Sequence, residues 1–279
     1  MSFGKRPELT APPEFFYNED EARKYSQNSR MMEIQGEMAE RAIELLELPE
    51  DEPQMILDLG CGSGLSGVAL DDAGHMWVGV DISESMLNVA REREAEGDVI
   101  LGDMGQGVPF RPGTFDGAIS ISALQWLCNA DKTSHKPVKR LYSFFTSLYA
   151  ALDTGARAVF QFYPSDQSQT DLIMSQAKRA GFNGGLVIDF PESTKAKKYY
   201  LVLIIGGQSN PCLPKPLSAT SGSTVSYAER NSRPGKGHHR TGVKNIKEWI
   251  QGKKERRRRQ GKETRPDSKY TGRKRSHRF

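Results

Sequence analysis

Hydrophobic positions follow two periods along most of the chain. From about Arg30 to Leu46, Ile34, Met38, Ala42 and Leu45 recur at spacings of four, four and three, which predicts one face of a helix ended by Pro49. Short apolar runs and helical patterns then alternate. Met55–Leu59 reads as a buried strand before a glycine-rich turn, Leu65–Asp72 as a short helix, and Met76–Val80 as a strand leading into Asp81. Glu84–Ala95 follows as a helix with Ser83 at its N-cap. Asp98–Leu101 and Phe115–Ile121 are further strands. Val138–Leu152 places Leu141, Phe145, Leu148, Tyr149 and Leu152 on one helical face, with Gly155 as its capping glycine. Arg157–Phe162 is a strand stopped by Pro164, Thr170–Ala180 a helix, and Leu186–Phe190 and Tyr199–Ile205 a closing pair of strands. This alternation predicts an α/β fold, an open and mainly parallel seven-stranded sheet flanked by helices.

The pattern stops at both ends and divides the chain. Residues 1–29 form an N-terminal extension, proline-rich and mixed in charge, with aromatics at Phe15, Phe16 and Tyr17. Residues 30–206 carry the alternating pattern and are expected to be one domain. Residues 207–242 are rich in Ser, Gly, Pro, Asn and Thr, lack an apolar period, and read as a flexible linker. Residues 243–279 are a basic tail, in which Val243, Ile246 and Ile250 allow a short helix.

Composition fits that division. An apolar fraction of 37% is low for a wholly compact chain of 279 residues. The charge is more telling than its total of +4. Residues 1–206 hold 19 Lys and Arg against 30 Asp and Glu, a net of −11, whereas residues 207–279 hold 20 against 5, a net of +15. An acidic body with a basic arm suggests a nucleic-acid or acidic partner. The longest apolar run, Tyr199–Ile205, is far short of the about 20 residues of a membrane-spanning helix. Cys61, Cys128 and Cys212 are too scattered for a disulfide framework or a zinc site, so a reducing compartment is expected.

The chemistry concentrates after the first strand, in Asp58-Leu59-Gly60-Cys61-Gly62-Ser63-Gly64. Glycines at 60, 62 and 64 let the backbone turn tightly and approach a ligand closely. Asp81 ends the second strand and Asp103 follows the third. Ligands of open α/β sheets lie beyond the carboxyl ends of the strands, so these acids and the glycine turn form one nucleoside site. The spacing is Gly-x-Gly-x-Gly, not the Gly-x-Gly-x-x-Gly of dinucleotide folds. This segment resembles motif I of the class I S-adenosylmethionine-dependent methyltransferases, and the resemblance covers about residues 30–206. It implies a Rossmann-like fold with S-adenosyl-L-methionine as cofactor. Asp58 and the Gly60–Gly62 backbone would lie near the methionine part, Asp81 on the ribose and Asp103 on the adenine amine. Ile82 and Met104 would sandwich the adenine, and Cys61, Gly64 and Ser120 complete the expected cofactor set.

The segment after the fourth strand, Ser120-Ile121-Ser122-Ala123-Leu124-Gln125-Trp126, faces the transferred methyl group in that superfamily. It lacks the Asn/Asp-Pro-Pro-Tyr/Phe motif of exocyclic amine methylation. Cys128 reads as a structural cysteine and not a nucleophile, and His135 as a solvated surface residue. A site poor in bases suits a nucleophile with a free lone pair, such as guanine N7, though base-poor sites occur in other methyltransferases as well. Gln125, Trp126 and Tyr163 are then expected to position or stack a base; for the aromatics, Phe162 included, the alternative is a place in the core or rim.

Larger blocks are similar to one family. Pro12-Pro13-Glu14, Phe16-Tyr17-Asn18, Ile119–Ala123, Gln125–Asp131, Gln161-Phe162-Tyr163-Pro164 and Tyr270–Arg275 closely resemble the eukaryotic 18S rRNA (guanine-N7)-methyltransferases of small-subunit maturation. Only about 207–240 carries no recognisable match. The resemblance implies methylation of one guanine of 18S rRNA on the pre-40S particle, in the nucleus, nucleolus and nucleoplasm, with the cytoplasm left open. It also implies a heterodimer with a small zinc-binding adaptor that activates methyltransferases, joined along the strand Asp98–Leu101, which that superfamily places at the sheet edge. Any zinc would belong to the adaptor, since the chain shows no metal site of its own. Lys253, Lys254, Arg256, Arg257, Arg258, Arg259, Arg273, Lys274 and Arg275 supply a tail for RNA phosphates and nuclear import, expected to be disordered until it meets RNA. An alternative reading is a non-enzymatic pre-40S assembly and export factor.

Overall fold

The computed structural model describes residues 6–49, 52–130, 135–206 and 213–217, with isolated positions at 254, 255, 258 and 266. The chain divides into two compact units, Met1–Ser223 and Thr224–Phe279. In the second, Lys254 Nζ donates to the Pro266 carbonyl at 3.1 Å. The expected tail residues Lys253, Arg256, Arg257, Arg259, Arg273, Lys274 and Arg275, the short helix near Val243 and most of the linker lie outside the described residues.

The first unit is built on a seven-stranded sheet. Its strands are β1 (Met55–Leu59), β2 (Met76–Asp81), β3 (Asp98–Leu101), β4 (Phe115–Ile121), β5 (Leu152–Phe162), β6 (Asn183–Asp189) and β7 (Lys198–Ile204). Their spatial order is β3-β2-β1-β4-β5-β7-β6, parallel from β3 to β5, with β7 antiparallel to both its neighbours. The helices are α1 (Pro13–Phe16), α2 (Glu19–Gln27), α3 (Ser29–Leu46), α4 (Leu65–Ala73), α5 (Glu84–Glu92), α6 (Pro137–Ala151) and α7 (Gln167–Arg179).

The period-two alternation of the strands divides the core between two faces. Leu57, Leu59, Ala118, Phe160, Phe162, Leu201 and Leu203 pack with Leu141, Phe144, Phe145 and Leu148 of α6 and Ile173 of α7. Ile56, Ile119, Ile121, Val159, Tyr200 and Val202 pack with Met38, Ala39, Ala42 and Leu45 of α3 and Leu70 of α4. A sheet covered on both faces directs its ligand to the ends of its strands.

Three sequence expectations change. First, β5 begins at Leu152, directly after α6, because Leu152 already has extended backbone. Gly155 is therefore no helix cap; it lies inside the strand with φ of 88°. Second, the N-terminal stretch contains α1 and α2, the latter capped by Asn18, whose side chain accepts from Glu21 N at 3.1 Å. Third, within the supposed linker, residues 213–217 pack on the sheet. Leu213 joins the core, Leu217 N donates to Asp189 Oδ1 at 2.8 Å, and Phe190 N donates to the Leu217 carbonyl at 2.6 Å.

Candidate active site

The carboxyl ends of β1, β2, β3 and β4 open into one cleft of about 890 Å³, continuous with solvent. The glycine loop after β1 forms its floor. Gly60 and Gly62 take φ of 75° and 51°, a region that side chains rarely adopt. A Cβ on Gly60 would stand 2.3 Å from Ala123 Cβ, and one on Gly62 2.9 Å from Met86 Cε. The loop is thus closed to side chains and offers bare backbone to a ligand. Cys61 lines the same loop, its thiol held well above its ordinary pKa by burial and by the charges of Asp58 and Asp81.

Each expected acid stands at its strand end. Asp81 Oδ2 accepts from Gly62 N at 2.9 Å and Oδ1 from Ser83 N at 2.8 Å, which ties the second strand end to the glycine loop. Burial raises its pKa. Asp103 Oδ1 accepts from Gly105 N at 2.9 Å and from Arg140 Nη2 at 2.8 Å. Both acids line the cleft, with Ile82 and Met104 beside them.

Asp58 lies one layer deeper, fully buried, and is not itself part of the wall. Ser66 Oγ donates to its Oδ2 at 2.5 Å, whereas Oδ1 has no partner among the described residues. Burial pushes its pKa up to about 7, against the lowering by Ser66 and with a further rise from Asp81. An orphaned carboxylate oxygen beneath a glycine cradle fits a ligand that brings a cation. The expected cofactor, with an α-ammonium and a ribose, meets that requirement.

Other expected residues are not brought together. Ser120 is buried inside β4, where its hydroxyl donates to the Leu59 carbonyl at 2.7 Å; it knits β4 to β1 and does not reach the cleft. Gly64, with φ of 76°, is the N-cap of α4, and a Cβ there would meet Ala95 and Ala90. Its role is the turn and the helix packing. Gln125 is buried outside the cleft wall and donates from Nε2 to the Ser122 carbonyl at 2.9 Å. Tyr163 points into the α3 face of the core: its hydroxyl donates to Met38 Sδ at 3.4 Å and accepts from Lys198 Nζ at 3.1 Å. Phe162 is core. Among the three residues expected at the base, only Trp126 faces the cleft.

Cys128 packs against the core, and burial pushes its thiol up to about 12, so it carries no thiolate near neutral pH. His135 is not a solvated residue. It is half-buried, with both ring nitrogens 3.0 Å from Arg140 Nη1.

Sequence reasoning missed Tyr17, Tyr25, Gln35 and Arg140, which line the cleft together with Ser63 and Ser122 of the two motif segments. The N-terminal segment supplies Tyr17 and Tyr25. Its fold over the site is fixed by Ser83 Oγ donating to the Tyr17 carbonyl at 2.8 Å and Asn129 Nδ2 to the Glu8 carbonyl at 2.9 Å. Tyr17 and Phe16 stand 5.8 Å and 6.0 Å from the Trp126 ring, centroid to centroid. Burial and then the Asp81 charge push Tyr17 up to about 12, so its hydroxyl stays protonated and can donate. Aromatic residues so near a proline-rich terminus were the available signal, but nothing local says where they fold.

Comparison with known proteins agrees with this architecture. The family "Methyltransferase domain" matches residues 56–143, and "Methyltransferase involved in Williams-Beuren syndrome" matches residues 203–277. The second match runs through 207–240, where the residues alone gave none. The mouse 18S rRNA (guanine-N(7))-methyltransferase is 58% identical, over 100% of this chain and 99% of its own. The Saccharomyces cerevisiae 18S rRNA (guanine(1575)-N(7))-methyltransferase is 50% identical, over 98% and 99%. Among solved structures, a phosphoethanolamine N-methyltransferase 2 of Haemonchus contortus, in complex with phosphomonomethylethanolamine and S-adenosylhomocysteine, aligns with a TM-score of 0.51 at 18% identity. That alignment covers 68% of this chain and 59% of the other and speaks to the fold alone.

Proposed function

The chain belongs to the 18S rRNA (guanine-N7)-methyltransferases, and from that premise we propose how its cleft divides the work. It is an S-adenosylmethionine-dependent enzyme that methylates N7 of a guanine in 18S rRNA. When bound, the cofactor supplies an electrophilic methyl group on a sulfonium sulfur. The Gly60–Gly62 backbone holds the amino-acid end, with the Asp58 carboxylate beneath it as the counter-charge, Asp81 the ribose, and Asp103 with Ile82 and Met104 the adenine. Arg140 fixes the Asp103 carboxylate in place. The observation that carries this reading is the orphaned, buried Asp58 oxygen beneath a loop that excludes side chains.

Guanine N7 needs no deprotonation before attack, so the protein's task is alignment and exclusion of water. Tyr17 and Trp126 provide ring faces for the base, and such faces also favour the purine as it becomes cationic. Among the described residues, no histidine or thiolate is placed to act as a base in the cleft, as N7 chemistry permits. No observation favours the non-enzymatic reading.

A small zinc-binding adaptor is proposed to add a strand to β3. Supporting this, β3 pairs only with β2 among the described residues, and Ile100, Leu101 and nearby Met76 are 37%, 57% and 54% exposed. Bare backbone beside apolar side chains is what β-augmentation uses. The basic tail is proposed to contact rRNA phosphates and to direct nuclear and nucleolar import, an inference from its charge.

The test maps N7-methylguanosine in 18S rRNA from cells lacking the protein. The mark should vanish, return with the wild type, and stay absent with Gly60→Glu, whose side chain collides with Ala123 and fills the cradle. A mark that persists without the protein would remove the assignment.

A further inference from the structure

A hydrogen-bonded chain runs from the end of β5 to α3, and its direction is set at one end. The Phe162 carbonyl can only accept, and Gln161 Nε2 donates to it at 3.3 Å. Gln161 Oε1 therefore faces Ser122, whose hydroxyl donates to it at 2.8 Å. With that proton used, Ser122 Oγ can only accept from Gln35, whose Nε2 stands 3.5 Å away. The second Nε2 contact of Gln35 is with the thioether of Met31 at 4.0 Å. Both point the same way: the Gln35 amide is oriented with its nitrogen toward Ser122 and Met31. Its carbonyl oxygen, Oε1, has no donor among the described residues. Gln35 is only 8% exposed, yet it lines the cleft, as does Ser122. Ser122 holds φ of 58°, a strained conformation for a residue with a side chain, and it keeps its backbone N on the Gln161 carbonyl at 2.9 Å.

We infer that Gln35 is a specificity residue for the target base, its Oε1 accepting a hydrogen bond from the N1–H or N2–H edge of guanine. The proposal rests on the guanine-N7 reading of the cleft and deepens it. Guanine carries donors at N1 and N2, whereas adenine presents a bare acceptor at N1. An amide free to flip would suit either base. This one is not free, because the chain to Phe162 fixes which end is oxygen. The bond also favours reaction over binding. As N7 takes the methyl group, the purine becomes cationic and N1–H a stronger donor, so a neutral acceptor gains strength in the transition state. The sulfonium loses its charge in the same step, as the S–CH3 bond breaks and the N7–CH3 bond forms, and no proton changes place.

The test uses full-length protein purified from its own cells and small-subunit precursor particles from cells lacking it. Initial rates of N7-methylguanosine formation at saturating S-adenosylmethionine are compared for wild type, Gln35→Met and Gln35→Glu, with cofactor affinity measured by calorimetry. Gln35→Met keeps the volume and removes the acceptor. Its rate should fall about tenfold to a hundredfold, the effect of leaving one hydrogen-bonding group unpaired, with cofactor affinity unchanged. Gln35→Glu, in its protonated form, can donate from one oxygen to Ser122 Oγ and keep the other as the acceptor, so it should recover most of the rate at a pH low enough to keep that carboxyl protonated. A wild-type rate in Gln35→Met, an equal loss in Gln35→Glu at that pH, or a parallel loss of cofactor affinity would overturn the proposal. Failure of the wild type itself to form N7-methylguanosine would instead sink the underlying reaction, a distinguishable result.

Discussion

Asp189 and Asp58 are both buried carboxylates at the ends of strands in one sheet, 2% and 0% exposed, and they are treated in opposite ways. Asp189, at the end of β6, accepts from Arg41 Nε at 2.9 Å, Arg41 Nη2 at 3.4 Å and Leu217 N at 2.8 Å. Asp58, on β1, has one oxygen with no donor among the described residues. The edge strands differ in the same sense. The chain closes the β6 side itself, with Leu213 and Leu217 laid against it and the Lys215 carbonyl taking a bond from Arg41 Nη2 at 3.1 Å. On the β3 side, Ile100 and Leu101 stand exposed. Burying a polar group or an edge without a partner is costly. Where the chain supplies the partner, the group is architecture. For Asp58 Oδ1 and the β3 edge, which have no partner among the described residues, the proposed cofactor and adaptor would complete them.

The largest effect is expected at the closed end. Arg41→Leu would strand Asp189 without its cation and release Lys215. The full chain should lose about 3–5 kcal/mol of stability in urea unfolding, the usual cost of breaking a buried pair. Arg41→Leu with Asp189→Leu should recover much of that loss. A single-variant loss under about 1 kcal/mol, as for a surface pair, would mean that this end is not closed by the ion pair.

At the open end the same kind of change should spare the fold. Leu101→Glu places a charge on a side chain that is already 57% exposed. Stability should stay within about 0.5 kcal/mol. Affinity for the strand-adding adaptor should fall by about 2 kcal/mol, roughly thirtyfold, if Leu101 is an interface anchor. Pull-down or calorimetry with the adaptor decides it; unchanged affinity would place the interface elsewhere.

How much of this was legible follows the range of the interactions. β3 and β4 were read to the residue, because each is a short apolar run between local breakers. β5 was read five residues short, since no turn separates it from α6 and Gly155 mimicked a helix cap. α1 and α2 were unread because they bury little: Ala22 is their one fully buried residue among those described. The cofactor half of the site was legible because the glycine loop and the strand-end acids are local signals in register. The base half was not, since it is assembled across the chain: Tyr17 against Trp126, Gln35 against Ser122, Arg140 against Asp103. Those contacts also displaced the local guesses. Tyr163 and Gln125 follow strand ends in the sequence, but Met38 and the Ser122 carbonyl hold them in the packing.

The smallest effect is the one that separates the two carboxylates by chemistry. Burial raises Asp58 to about 7, far above the ordinary carboxylate value of about 3.9. A carboxyl whose folded pKa is raised stabilises the fold at low pH, and that contribution is lost as pH rises through the folded value. Without cofactor, the contribution of Asp58 should therefore be full below about pH 3.9 and be lost between there and pH 7, and Asp58→Asn should flatten that part of the profile. Cofactor binding runs the other way. The α-ammonium needs the ionised carboxylate, so affinity for S-adenosylmethionine should fall by up to about tenfold per pH unit below 7. Above about 7.7 the cofactor's own amine starts to deprotonate, which bounds the useful window. Binding below pH 7 must then release a proton, and the calorimetric enthalpy should depend on the ionisation heat of the buffer. Asp81, also raised by burial, contributes to the same slope; the dependence left in Asp58→Asn measures its share. Affinity that is flat between pH 6 and 7, with no buffer dependence, would show that Asp58 is not the acceptor held open for the cofactor.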